Sequence, residues 1–367
     1  MPVIPNQPQS SRSSEVLFIS RRSAQTNLGD NMINRVGRYT IAFGEAPRIR
    51  SFGSAVGKKE ALGPLGELFD KKFYDSHMGQ KSFEKAETVL QQEAFLAALN
   101  KAELKAEEID MVFAGDLLNQ CVGSSFGLRD FNIPYFGQYG ACSTMAQGLI
   151  LSAITVESGA ANIAACVTSS HFCSAERQYR SPLEYGGQRT PTAQWTVTGS
   201  GSCILTNSGK HPKVAAATVG RITDLGVKDA NNMGAAMAPA AAGTISDFLN
   251  DTGTKSEDYD LILTGDLGHV GSECLYDLLE HDGINIRSNH NDCGKMIFDR
   301  KKQDVHAGGS GCGCCASTLC SAILPKLVSG ELKNILFIAT GALMSPTSSA
   351  QGESIPAVAH LVNITGK

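Results

Sequence analysis

Lys105-Ala106-Glu107-Glu108-Ile109-Asp110-Met111-Val112-Phe113-Ala114-Gly115-Asp116-Leu117 returns further along the chain as Lys255-Ser256-Glu257-Asp258-Tyr259-Asp260-Leu261-Ile262-Leu263-Thr264-Gly265-Asp266-Leu267, with six of the 13 aligned positions identical. Upstream, Leu99-Asn100 matches Leu249-Asn250. In the first copy the apolar residues from Asp110 to Asp116 fall on both faces of an extended segment, which suits a parallel strand buried between helical layers. A small-residue turn, an apolar helix and a second strand follow in both copies. First come Gly140-Ala141-Cys142-Ser143-Thr144, a helix to about Ser158 and a strand from Asn162 to Ser169. Their counterparts are Gly311-Cys312-Gly313-Cys314-Cys315, a helix to about Ser329 and a strand from Asn334 to Thr340. Gly159 and Gly330 stand where a C-capping glycine would close each helix. The period is too long and the copies too few for a solenoid, so the pattern predicts two pseudo-equivalent α/β halves packed together.

Working outward, residues 1–36 are rich in Ser, Asn, Gln and Arg without sustained periodicity and are expected to be disordered. The first half is placed at 37–213 and the second at 214–367. A helix is expected from about Phe83 to Asn100, with Ala86, Val89, Leu90, Ala94 and Ala97 on one face. Gly199-Ser200-Gly201 reads as a turn before a strand from Cys203 to Leu205. Between the halves' strands, residues 171–195 form a polar insertion long enough to be functional or mobile.

Composition narrows the function. The 367 residues carry 32 basic and 36 acidic side chains, a formal charge of −4, which gives no electrostatic footprint for nucleic acid. No apolar run reaches the 18 or so residues needed to span a bilayer, and a soluble protein is expected. Eleven cysteines scattered over helices and strands read as reduced thiols. Cys312-Gly313-Cys314-Cys315 with Cys320 lacks a separated second pair of the zinc-site kind and reads as helix packing, so no metal and no cofactor is expected. Cys142 stands where a helix begins, and unpaired backbone N–H groups there would stabilise a thiolate; a small buried hydrophobe is the competing reading. Asp116 and Asp266 end equivalent strands, where they either cap the following helix or hold a cation.

The two halves, with Gly140-Ala141-Cys142-Ser143 opening the central helix of the first and a glycine-rich turn in the second, resemble the thiolase and β-ketoacyl synthase superfamily over about residues 37–367. The resemblance implies a thiolase-like α/β fold of two pseudo-duplicated five-stranded halves stacked about central helices, a homodimer, and a cysteine that accepts an acyl group. Within the superfamily the chain is most similar to the stage V sporulation protein AD family of spore-forming bacteria. Ala114-Gly115-Asp116-Leu117-Leu118-Asn119-Gln120, Thr168-Ser169-Ser170-His171, Ala175-Glu176-Arg177-Gln178, His290-Asn291-Asp292-Cys293-Gly294 and Ala307-Gly308-Gly309-Ser310-Gly311-Cys312 carry that similarity.

That resemblance implies a component of the spore membrane apparatus that takes up dipicolinic acid: a soluble protein, peripheral at the spore inner membrane beside the complex's other proteins, binding dipicolinate itself, with or without calcium. Candidate ligand residues are Cys142, Asp116, Asn119, His171, Glu176, Arg177, Asp266 and His290. A planar dicarboxylate calls for bidentate cationic donors and a flat apolar wall, and the 171–195 insertion supplies Arg177, Arg180 and Arg189 with Tyr179 and Tyr185. The chain departs from the condensing enzymes where their catalytic His, and second His or Asn, would lie, having Thr264-Gly265-Asp266 and Ala307-Gly308-Gly309, with His269 and His306 as nearby substitutes. The alternative is an acyltransferase with Cys142 as nucleophile and an oxyanion hole from the backbone N–H groups of Cys142 and the Gly308–Gly313 turn.

Overall fold

The computed structural model describes residues 33–44, 47–179 and 189–366. The first half runs β1 (Arg48–Val56), α1 (Phe83–Ala102), β2 (Met111–Gly115), α2 (Val122–Leu128), β3 (Tyr135–Gly137), α3 (Thr144–Glu157), β4 (Ile163–Ser170), α4 (Phe172–Tyr179) and β5 (Gly199–Thr206). The second runs β6 (Lys213–Thr218), α5 (Met233–Thr252), β7 (Leu261–Thr264), α6 (Gly268–His281) and β8 (His290–Asp292). It ends with α7, β9 (Asn334–Ala342) and β10 (Ala357–Thr365); α7 is the continuous run Cys312–Thr318, Leu319–Ile323 and Leu324–Ser329, whose middle piece is a π-turn.

The strand order β8-β7-β9-β10-β6-β1-β5-β4-β2-β3 contains the duplication twice over. Each half places its third strand at the outside, then its second, fourth, fifth and first. In each, the second strand pairs parallel with the third and fourth, and the fifth pairs antiparallel with the fourth and first. Within that strand order the halves meet where Lys213 stands opposite Arg48, and Thr40–Ala42 of the first half also pairs antiparallel with Ala216–Thr218 of β6.

Repeated residues do the same work in both copies. Asp110 Oδ2 accepts hydrogen bonds from the backbone N–H groups of Asn162 and Ile163, and Asp260 Oδ2 accepts those of Lys333 and Asn334. Each carboxylate ties the start of its strand to the start of the neighbouring one and so fixes the parallel register. Glu108 and Asp258 likewise cap the N–H groups of Lys105 and Lys255. Gly159 and Gly330 adopt positive φ, +73° and +82°, and close α3 and α7 as expected.

The central helices are the core. Met145, Leu149 and Ala153 of α3, with Cys314, Cys315, Leu319 and Leu324 along α7, are fully enclosed. Contrary to the expectation of no run long enough to span a bilayer, Cys312–Ser329 is by length and composition such a run; here it is mostly buried, as the core helix of a globular fold is. α3 packs on β2 and β4 and reaches β9 and β10 of the other half, while α7 lies against β1, β4 and β5. On the outer faces, α1 covers β1 and β5, and α5 covers β9 and β10.

Gly199-Ser200-Gly201 is not a turn but the first part of β5. Its glycines answer to packing: a Cβ on Gly201 would lie 2.3 Å from the Ala316 carbonyl oxygen, and one on Gly313 2.2 Å from that of Gly199. The missing side chains let α7 settle directly on the strand backbone.

At the other end of the chain, order begins earlier than the 1–36 boundary. Asn34–Val36 pairs with Thr40–Ala42 across a turn at Gly37, because Asp251 accepts hydrogen bonds from the N–H groups of Arg38, Tyr39 and Thr40. Residues 1–32 lie outside the described residues.

Candidate functional site

Cys142 sits on a tight turn ahead of α3. Ala141 has φ of +49°, a left-handed conformation that costs an L-residue about 1 kcal/mol. Ser143 Oγ donates to the Gly140 carbonyl at 2.6 Å, and Thr144 Oγ1 to that of Ala141, also at 2.6 Å. These bonds hold the strained turn and aim the thiol at Asp266, which arrives from the end of β7.

Asp266 is buried. Its Oδ2 accepts from Ser310 Oγ and the Gly311 N–H, both at 2.9 Å, its Oδ1 accepts from Thr340 Oγ1 at 2.8 Å, and its charge acts on the Cys142 thiol beside it. Of the two readings of Cys142, these surroundings favour the buried, protonated thiol. Burial first, then the Asp266 charge and hydrogen bond, push the Cys142 thiol well above its ordinary range. The helix end loses because Cys142 lies two residues before the first helical residue, Thr144, in direct contact with an acid.

The thiol opens on a cavity of about 410 Å³. Leu117, Tyr139, Ala175, Met233 and Met344 give it an apolar lining, and Cys142, Glu176, Arg189, Gln194, Thr196 and Ser310 a polar one. Glu176 Oε1 accepts from Thr196 Oγ1 at 3.0 Å. Gln194 Nε2 donates to the carbonyls of Asp266 and Gly309, clasping the loop that carries the carboxylate. Trp195–Thr196 and Gly309–Ser310 pair in a two-stranded ribbon that joins the two halves along the cavity wall.

Of the eight expected ligand residues, the fold brings Cys142, Asp266 and Glu176 together. The others part company. Asp116 is buried away from the cavity, accepting from the Leu118 N–H and from Ser124 N–H and Oγ; it caps α2 and leaves no paired-carboxylate cation site with Asp266. Asn119 is exposed and latches Gln178 of α4. His171 is enclosed, its Nδ1 accepting from the Cys173 N–H and its Nε2 donating to the Ser76 carbonyl, so it caps α4 and presents no ring donor to the cavity. His290 engages Thr264 with one ring nitrogen and Tyr276 with the other, and burial holds its pKa down to about 3, which keeps it neutral. Arg177 is on α4, but its side chain, like Arg180, Tyr179 and Tyr185, lies outside the described side chains.

Arg189 stood out in the sequence only as one of three arginines of the 171–195 insertion, and Gln194 and Thr196 did not stand out at all. A two-residue ribbon gives no periodicity to detect, and only the pairing of Trp195–Thr196 with Gly309–Ser310 reveals it.

Among the described residues no histidine lines the cavity. His306 Nδ1 is bonded to the Thr190 carbonyl and its Nε2 to Asp304. The glycine turn also has its donors occupied: the N–H groups of Gly308, Gly311 and Gly313 reach the Val305 carbonyl, Asp266 and Ser170 Oγ.

The model of the stage V sporulation protein AD family matches residues 37–365 of this sequence. Stage V sporulation protein AD of Bacillus subtilis strain 168 is 45% identical over 324 residues, spanning 88% of this chain and 96% of that protein. Among solved structures, 3-oxoacyl-[acyl-carrier-protein] synthase III of Aquifex aeolicus aligns with a TM-score of 0.56 at 15% identity, over 87% of this chain and 99% of its own. Cerulenin-bound OleA of Xanthomonas campestris aligns at 0.55 and 13% identity, over 87% and 96%. At such identities the two enzymes establish the thiolase-like fold and nothing about chemistry.

Proposed function

Since this chain belongs to the stage V sporulation protein AD family, its role lies in sporulation, and we propose that it performs that role by binding dipicolinic acid, or its calcium chelate, in the cavity beside Cys142. One observation carries the reading: the Cys142 thiol lies on the wall of a cavity beside the buried Asp266 carboxylate, and no described histidine lines that cavity. A nucleophile needs a base or a depressed pKa, and this thiol has an acid beside it that opposes ionisation. The cavity volume falls within the range of small-molecule sites, and its mixture of apolar wall and few polar groups suits a flat, charged ring.

The acyltransferase alternative keeps one point in its favour, that Cys142 lies on the cavity wall in a fold shared with condensing enzymes. Two labelling experiments, alkylation and acylation of Cys142, separate the two. In the binding reading, dipicolinate slows iodoacetamide modification of Cys142 where benzoate does not, and radiolabelled acyl-CoA leaves no label. A stable label that disappears in Cys142→Ser would establish the enzyme instead.

Homodimerisation belongs to the same proposal, as does attachment at the spore inner membrane through other proteins of the uptake complex. β3 ends the strand order, and its own Phe136, like Phe126 of α2, is more than half exposed. An uncovered edge flanked by aromatics is a template for pairing with a second copy. Phe136→Asp is expected to convert a dimer to a monomer in sedimentation velocity; a wild type that sediments as a monomer, or a variant that remains dimeric, would remove that interface.

A further inference from the structure

Arg189 carries a charge that the described structure leaves half used. Its side chain is 9% exposed, and Nη2 is bonded to Asp304 through the backbone carbonyl at 2.8 Å and the carboxylate at 3.0 Å. Nη1 is buried with no hydrogen-bond partner among the described residues, while the side chain lines the cavity that also holds Cys142. A buried guanidinium donor without an acceptor is costly, so an orphan beside an open cavity is the signature of an absent anion.

The group is also held in place. Its Cζ lies 4.5 Å from the centroid of the Trp195 ring, and that ring is stacked on Phe172 at 3.9 Å. Cation–π contact and the Asp304 pair fix the guanidinium before any ligand arrives, which lowers the ordering cost of binding. Lys59, whose Nζ sits 3.3 Å from the Trp195 centroid, adds positive charge beside it.

We infer that Arg189 is the carboxylate anchor of the cavity, Nη1 donating to an oxygen of a planar aromatic carboxylate. The assignment rests on the binding reading above and names the residue that would set its selectivity.

The test is calorimetric titration of the full-length wild type, Arg189→Gln, Arg189→Lys and Asp304→Asn with dipicolinate, pyridine-2-carboxylate and the uncharged pyridine-2,6-dicarboxamide. Loss of a charged hydrogen bond predicts dipicolinate binding weakened about 10- to 100-fold in Arg189→Gln. Arg189→Lys should fall between that variant and wild type, and the dicarboxamide should bind poorly to all four proteins. Asp304→Asn should lose less than Arg189→Gln, since it loosens the guanidinium but leaves Nη1 in place to donate. Equal binding by wild type and Arg189→Gln would overturn the anchor while leaving dipicolinate recognition standing. So would an equal loss in Asp304→Asn and Arg189→Gln, which would make Arg189 a tether for the Asp304 loop. If dipicolinate fails with wild type but pyridine-2-carboxylate binds and is lost in Arg189→Gln, the anchor survives and the ligand changes. Binding of neither carboxylate overturns both.

Discussion

Gly201→Val is expected to abolish folded protein. A Cβ at that position would lie 2.3 Å from the Ala316 carbonyl oxygen, 2.4 Å from its carbon and 2.9 Å from the Ala316 Cβ. All three belong to α7 close to its backbone, so no flexible side chain can swing aside, and the central helix must move bodily off β5. Overpacking of that kind costs about 4–5 kcal/mol or more, comparable with the whole stability of a domain. Gly243→Ala in α5 is the control, because nothing lies within 4 Å of its Cβ. That change should gain up to about 1 kcal/mol of helix propensity. Soluble yield and circular-dichroism melts measure both; a Gly201→Val protein melting like wild type would mean that β5 and α7 are not in contact as described.

Asp266→Asn should make Cys142 reactive. Burial, the Asp266 charge and the thiol's hydrogen bond all favour the protonated form, so wild-type alkylation at Cys142 stays slow from pH 7 to beyond 9. The amide removes the negative charge, the thiol pKa falls, and the rate–pH curve moves to lower pH. Each unit of pKa lost gives about tenfold more thiolate below the pKa, and mass-spectrometric mapping after iodoacetamide treatment at pH 8 should show at least that increase. Some suppression remains, because burial is the largest cause and stays. An unchanged rate would mean that something other than Asp266 keeps the thiol inert.

The paired strands, the central helices and their glycine stops were legible because the sequence repeats the devices that build them. Asp110 and Asp260 each fix a parallel register, and Ser82 caps α1 one residue before its expected start at Phe83. Gly199-Ser200-Gly201 misled because glycine serves close approach as readily as turning, and the approaching helix lies more than a hundred residues further on. The site was half legible. Cys142 and Asp266 follow from the aligned copies, and Glu176 from the similarity to a known family. Asp116, His171 and His290 did not separate as ligand or scaffold, since a buried cap and a ligand contact require the same polar atoms. The sequence left Cys142 open between a stabilised thiolate and a buried thiol, because a local helix end is visible in sequence, whereas an acid brought from the other half is not.

In the function proposed for this chain, a fold shared with condensing enzymes holds a ligand in a cavity whose cysteine is kept inert. Calorimetric titration of the full-length protein with dipicolinate, with and without calcium and against benzoate, is the decisive measurement. Saturable one-site binding that benzoate does not reproduce is the expected result. No heat, together with no thermal stabilisation by dipicolinate in either condition, would contradict it.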